Sequence, residues 1–109
     1  MSDPSNSLGI LALEGDIDLY QSQSTAVKQK LNELIDRKMA RILVDMSRVN
    51  YIDSSGLALF IVCLQRMAEY GGRLGLFGLQ HTVAHIFEIA RLDQVLHIYP
   101  DETTARAAV

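Results

Sequence analysis

The stretch Tyr51-Ile52-Asp53-Ser54-Ser55-Gly56-Leu57 joins a strand-like segment to a long apolar run, and the fold turns on how that junction is read. Just upstream, Arg41 to Met46 (RILVDM) is rich in branched residues, as a strand is. Downstream, Ser55 to Tyr70 repeats apolar residues at helical spacing. A carboxylate and two hydroxyls therefore stand at a helix start, where backbone N–H groups lack partners and the helix dipole is positive. Ser54 and Ser55 suit the role of N-caps. A serine at such a corner also suits a phosphate, which the helix end would stabilise and a partner could read. The two readings are compatible, because a cap hydroxyl can also be modified. Ser55 is expected to face the N–H groups of the first turn. Asp53 either orients the Ser54 hydroxyl or closes the turn, and Gly56 lets a partner approach closely.

Outward from the junction, the elements alternate. Leu8 to Leu13 (LGILAL) reads as a buried strand, and Glu14-Gly15-Asp16-Ile17-Asp18 as a turn that ends it. A helix is expected from Ser22 to Lys38, with Val27, Leu31, Leu34 and Ile35 in one apolar stripe. Ser47-Arg48-Val49-Asn50 reads as a loop. The helix after it is expected to bury Leu57, Phe60, Ile61, Leu64 and Met67 and to stop at Gly71-Gly72. A strand over 74–79, a helix over 82–90 burying Val83, Ile86, Phe87 and Ala90, a strand over 96–99 and a small helix over 101–108 complete the chain. This βαβαβαβα order predicts one α/β domain with a largely parallel sheet of about four strands and right-handed crossovers. Residues 1–7 are expected as a flexible N-terminus and 8–109 as the domain. Sites on open sheets form at the carboxyl ends of strands, so the loops Gly15–Asp18 and Tyr51–Gly56 should share one edge.

Composition excludes several classes. With 109 residues, 49% of them hydrophobic, the chain supports one globular core. Its 10 basic and 13 acidic residues give a net charge of −3, with no basic run, so direct nucleic-acid binding is not expected. Cys63 is the single cysteine, which suits a reducing, cytoplasmic setting. No run approaches ~18 apolar residues, so membrane insertion is not expected. The first seven residues lack the basic and apolar regions of a signal peptide. Asp16 and Asp18 resemble paired acid–base carboxylates, but a short turn offers no pocket to separate their pKa values. His81 and His85 stand four apart without the other ligands of a metal site, so no metal is expected. Gly72, Gly75 and Gly78 do not form a phosphate loop, since a strand follows Gly72 instead of a helix; Gly75 instead suggests close packing on the sheet. Leu59, Val62 and Cys63 fall off the expected core stripe. Either a neighbouring element buries them or they form an apolar patch beside Ser54.

Three blocks together give the chain a family resemblance. Leu13-Glu14-Gly15-Asp16-Ile17-Asp18 comes first. Ile42 to Met46 follows, with Val49, Ile52 and Asp53-Ser54-Ser55-Gly56-Leu57. Tyr70-Gly71-Gly72, the strand Leu74 to Phe77 and the helix Val83 to Ala90 before Leu92 make the third. In this order, over residues 8 to 108, they resemble a STAS domain of the stand-alone kind that acts as an anti-sigma-factor antagonist. The resemblance implies a regulatory switch and no enzyme. Its unphosphorylated form would bind an anti-sigma factor, itself an ATP-dependent serine kinase, and so release a sigma factor. Phosphate on the residue after the motif aspartate, here Ser54, would end that binding, and a PP2C-type phosphatase would restore it. The resemblance implies an acidic partner-facing position at Asp18. The partner surface is then expected to comprise Asp16, Asp18, Asp53, Ser54, Ser55, Gly56 and Leu59, with no cofactor. Many relatives carry an extra N-terminal edge strand. Here only seven residues precede Leu8, Pro4 among them, and proline cannot donate to a ladder. Two other roles stay open: a STAS-like assembly subunit of a stress-sensing scaffold or lipid-transport complex, and a small-molecule (nucleotide) sensing module, since loops at a sheet's carboxyl edge can hold a nucleotide.

Overall fold

The computed structural model describes residues 8–17 and 22–109. The expected flexible N-terminus, residues 1–7, and Asp18 lie outside the described residues. Four strands, β1 (Leu8–Ile17), β2 (Arg41–Ile52), β3 (Arg73–Phe77) and β4 (His97–Tyr99), form one parallel sheet in the order β1-β2-β3-β4. Helices α1 (Ser22–Asp36), α2 (Ser54–Ala68), α3 (His81–Ile89) and α4 (Glu102–Ala108) alternate with them, and a short 3-10 turn (Leu92–Gln94) precedes β4. The expected α/β architecture is the one observed.

Neighbouring parallel strands joined by right-handed crossovers must place their connections on one face. That face holds the main core, where Leu31 and Ile35 of α1, Phe60, Cys63 and Met67 of α2, and Val83 and Phe87 of α3 meet the sheet. The other face is covered by α4, whose Ala105 packs on Leu43 and Phe77. A Cβ at Gly75 would come within 2.9 Å of Leu43 Cδ2 and 3.1 Å of Tyr99 Cε2, so close packing does explain that glycine. Among the described residues no helix is long and apolar enough to cross a membrane.

Several sequence expectations are corrected. The segment Ser47–Asn50 is not a loop, and Glu14–Ile17 is not a turn; both belong to the paired strands β2 and β1. Pairing passes from Ala12↔Asp45 to Glu14↔Arg48, and from Gly15↔Val49 to Asp16↔Tyr51, so β2 carries an extra residue at each shift. Two β-bulges follow, and they change the burial period from two to three: Ile42, Val44 and Met46 are buried, then Val49, then Ile52. A segment with that spacing does not look like a strand in sequence.

The register of α2 is also rotated. Its buried residues are Gly56, Phe60, Cys63 and Met67, with Leu57, Leu59 and Leu64 half-buried against the core. Ile61 is half-buried outside the core cluster, and Cys63, expected off the core stripe, is 1% exposed. Apolar residues surround this helix from Leu57 to Leu64, so hydrophobic spacing alone leaves its rotation open. Tertiary contacts decide it. The Arg66 guanidinium on α2 donates to Asn32 Oδ1 and to Asp36 Oδ1 (2.8 Å), which ties α2 to the end of α1. In α3, Val83 and Phe87 are buried as expected, whereas Ile86 is half-buried and Ala90 lies exposed beyond the helix end. The Gly71-Gly72 stop is observed: Gly71 takes φ +79°, and the Gly72 N–H donates to the Met67 carbonyl at 2.8 Å.

Candidate functional site

The bulges let β1 and β2 run on side by side until Ile17 faces Ile52, one residue before the helix starts. The Asp53 N–H donates to the Ile17 carbonyl at 3.2 Å, extending the ladder by one bond. The chain then turns into α2. The expected sharing of one sheet edge is therefore closer than expected: the two motif segments are hydrogen-bonded strands.

The helix start is capped by Asp53, not by a serine. Asp53 is extended (φ −105°, ψ −175°), and its Oδ1 accepts the Gly56 N–H at 3.1 Å. Its carbonyl accepts the Leu57 N–H at 3.0 Å, the first full helical bond. Of the two roles left open for Asp53, closing the turn is observed. Ser54 and Ser55 become the first two helical residues, and both are exposed. The site thus has two hydroxyl residues at the positive end of a 15-residue helix whose cap is supplied by another side chain.

This arrangement makes a direct prediction. Asp53→Ala is expected to lower stability by about 0.5–2 kcal/mol, the usual cost of losing an N-cap. Ser54→Ala and Ser55→Ala are expected to leave the melting temperature nearly unchanged. Thermal melts of the three variants check this, and a serine variant as destabilised as Asp53→Ala would return the capping role to that serine.

The other expected site residues divide. Asp16 is half-buried in β1, paired across the ladder with Tyr51, and Tyr51 is 46% exposed. Asp16, Asp53, Ser54 and Ser55 thus gather around one corner. Gly56 is buried, and the position its side chain would occupy is filled by Ile52 and Ile17. Leu59 is half-buried and packs against the core. Of the apolar patch, only Val62 is well exposed, at 51%. Cys63 does not belong to it: burial pushes its thiol up to about 11, against the opposing pull of the Arg66 charge, so it is no nucleophile at neutral pH.

Two features of this surface were missed in the sequence. Tyr51, which was given no role in the sequence, is exposed at the end of β2. From Ser54 to Gln65 α2 contains no charged residue, although Ser54, Ser55, Ala58, Val62 and Gln65 are exposed. That absence of charge was legible and is the signal that could have marked the face. Exposed helix faces of monomeric domains are ordinarily polar or charged. His81 and His85 are exposed, with His85 Nδ1 3.8 Å from Glu88, and no group of three or more metal-ligating side chains occurs among the described residues.

Comparison with known proteins agrees with this geometry. The family model of the STAS domain matches residues 3–105. An anti-sigma-B factor antagonist of Listeria monocytogenes is 30% identical over 84 residues, covering 77% of this chain and 72% of that protein. An anti-sigma factor antagonist from Mycobacterium paratuberculosis superposes with a TM-score of 0.84 at 19% identity, over 100% of this chain and 98% of the other. The phosphorylated form of the Bacillus cell-fate determinant SpoIIAA superposes with a TM-score of 0.69 at 18% identity, over 100% and 96% of the two chains. With a four-stranded parallel sheet, helices between its strands and an Asp-Ser-Ser-Gly-Leu junction at the start of α2, the chain belongs to the STAS domain family.

Proposed function

We propose that this protein is an anti-sigma-factor antagonist switched by phosphorylation of Ser54. The unphosphorylated surface binds an anti-sigma factor that is also a serine kinase, and a sigma factor is released. The kinase transfers the γ-phosphoryl group of ATP to Ser54 Oγ, which loses its proton, and ADP leaves. The added charge ends binding, and a PP2C-type phosphatase hydrolyses the ester and restores it. The antagonist is a cytoplasmic substrate and ligand in this cycle and catalyses none of its steps.

One observation carries the reading: Asp53 caps α2, so the Ser54 side chain is exposed at the helix start beside an uncharged helix face. A kinase can reach such a hydroxyl, and a partner can cover Ala58 and Val62, on the same helix face as Ser54, without desolvating a charged side chain of that face. The names of the Listeria and Mycobacterium relatives support the same role.

The test is incubation with ATP and, in turn, each kinase-type anti-sigma factor of the same genome, followed by mass spectrometry. Phosphate is expected on Ser54. Phosphate on Ser55 alone, or on neither serine with any of these kinases, would end the reading and favour an assembly subunit. The nucleotide-sensing alternative is supported only by an open cleft of about 460 Å³ at the first β2 bulge, with Lys30, Arg48, Asp45 and Ser47 in its wall. Retention of ATP by the antagonist alone, with no phosphate transferred, would favour that alternative.

A further inference from the structure

Gly56 is the third residue of α2, and its φ is not in the left-handed region that requires glycine. Glycine inside a helix is about 1 kcal/mol less favourable than alanine. Its presence here needs a reason other than backbone conformation, and the surroundings give one. A Cβ at position 56 would lie 2.6 Å from Ile52 Cγ1, 2.8 Å from the Ile17 carbonyl oxygen and 3.0 Å from Ile17 Cγ2. Ordinary contacts between carbon atoms are about 3.5–4.0 Å. Ile52 and Ile17 are both fully packed in the core and have little room to turn aside. The Ile17 oxygen cannot turn aside at all, because it is backbone in a paired strand and accepts the Asp53 N–H.

The first turn of α2 therefore sits directly on the end of β1. Two hydrogen bonds hold it there, Asp53 N–H to the Ile17 carbonyl and Gly56 N–H to Asp53 Oδ1. Ser54 lies between the two bonded residues. We propose that Gly56 is a positioning residue for Ser54: by letting the helix start seat against the Ile17 carbonyl, it sets where the Ser54 side chain leaves the surface. Any side chain at position 56 lifts the first turn and misaims position 54, while the rest of the core, Phe60, Cys63 and Met67 included, stays packed. The consequence for regulation rests on the reading of Ser54 as the modified residue. The seating of the helix does not.

Position 54 can be probed without a kinase. In Ser54→Cys the new thiol is the reactive one, because Cys63 is buried and its thiol is pushed up to about 11. A thiol at a helix start has a pKa below the ordinary value of about 8.5. The rate of its reaction with a chromogenic aromatic disulfide, followed against pH, reads that pKa. Adding Gly56→Ala is expected to raise it by about half a unit, as position 54 moves off the helix end. Cys63 should stay unreactive and the melt cooperative, which a general loss of structure would not allow. An unchanged thiol pKa and rate in the Gly56→Ala background, with Cys63 still protected, would overturn the proposal. If Gly56→Ala exposes Cys63 and so unfolds, amide exchange in the unsubstituted protein decides. The Asp53 and Gly56 N–H groups are expected to exchange at least about tenfold more slowly than those of Ser54 and Ser55. Equal rates across the four would overturn it. No outcome depends on finding a kinase, so failure here and failure of the phosphorylation reading are told apart.

Discussion

Phosphorylation of Ser54 is expected to weaken binding of the anti-sigma kinase by on the order of a hundredfold or more. Ser54→Asp should weaken it less, and Ser54→Ala should bind as the unmodified protein does and be indifferent to ATP. A phosphate adds about −1.5 to −2 charges at neutral pH, and an aspartate adds only about −1. The charge enters a corner already holding Asp53 and Asp16, on a chain of net charge −3. A partner that fits Ala58 and Val62 beside Ser54 must exclude water there and has no reason to supply a cation at a neutral hydroxyl. An uncompensated charge at a desolvated contact costs about 3–5 kcal/mol when buried, and less at a rim. At 1.4 kcal/mol per tenfold, the lower part of that range gives about two orders of magnitude. The fold should not suffer, because the positive end of the helix dipole favours negative charge there. Calorimetry with the purified partner checks this, with a melt of the phosphorylated protein beside it. Equal affinity of the phosphorylated and unmodified forms would leave an assembly role as the better account.

The second large effect tests the rotation of α2. Cys63→Asp is expected to abolish cooperative folding, whereas Ile61→Asp should leave a folded domain. Cys63 is 1% exposed among Phe60, Met67 and the sheet. A carboxylate there has no free partner, since Arg66, the nearby cation, is already engaged by Asn32 and Asp36. Burying an unpaired polar or charged group costs several kcal/mol, comparable to the ~5–15 kcal/mol that holds such a domain together. Ile61 is half-buried outside the core cluster, so an aspartate there keeps much of its hydration. A loss of about 1–2 kcal/mol is expected, lowering Tm by roughly 4–12 °C. Thermal melts followed by circular dichroism distinguish the two. A cooperative melt for Cys63→Asp beside an unfolded Ile61→Asp would show that α2 is turned the other way.

These two experiments lie on opposite sides of what local sequence can specify. The order of strands and helices, the single parallel sheet and the place of Ser54 at a strand–helix junction were all legible. Each depends on local period, on turn residues and on the handedness of crossovers, which act over a few residues at a time. The stripe of α1 was legible for the same reason, because polar residues surround Val27, Leu31 and Ile35 and leave one apolar face. The rotation of α2 was not, because Leu57 to Leu64 is apolar on nearly every side. The bonds from Arg66 to Asn32 and Asp36 of α1, and the seating of Gly56 on the Ile17 carbonyl, choose among faces that hydrophobicity ranks alike. The strand character of Ser47–Asn50 and Glu14–Ile17 was hidden too, since a bulge shifts the burial period and shows only against the partner strand. Asp53 had two open roles for a related reason: a carboxylate beside two serines is a cap or a neighbour according to where the Gly56 N–H points. The amino-acid sequence by itself determined the order of strands and helices and the place of the serine pair at a strand–helix junction. Only the tertiary structure decided which faces turn inward and which group caps the helix, because those depend on contacts between residues some 30 or more positions apart, such as Arg66 with Asn32 and Asp53 with Ile17.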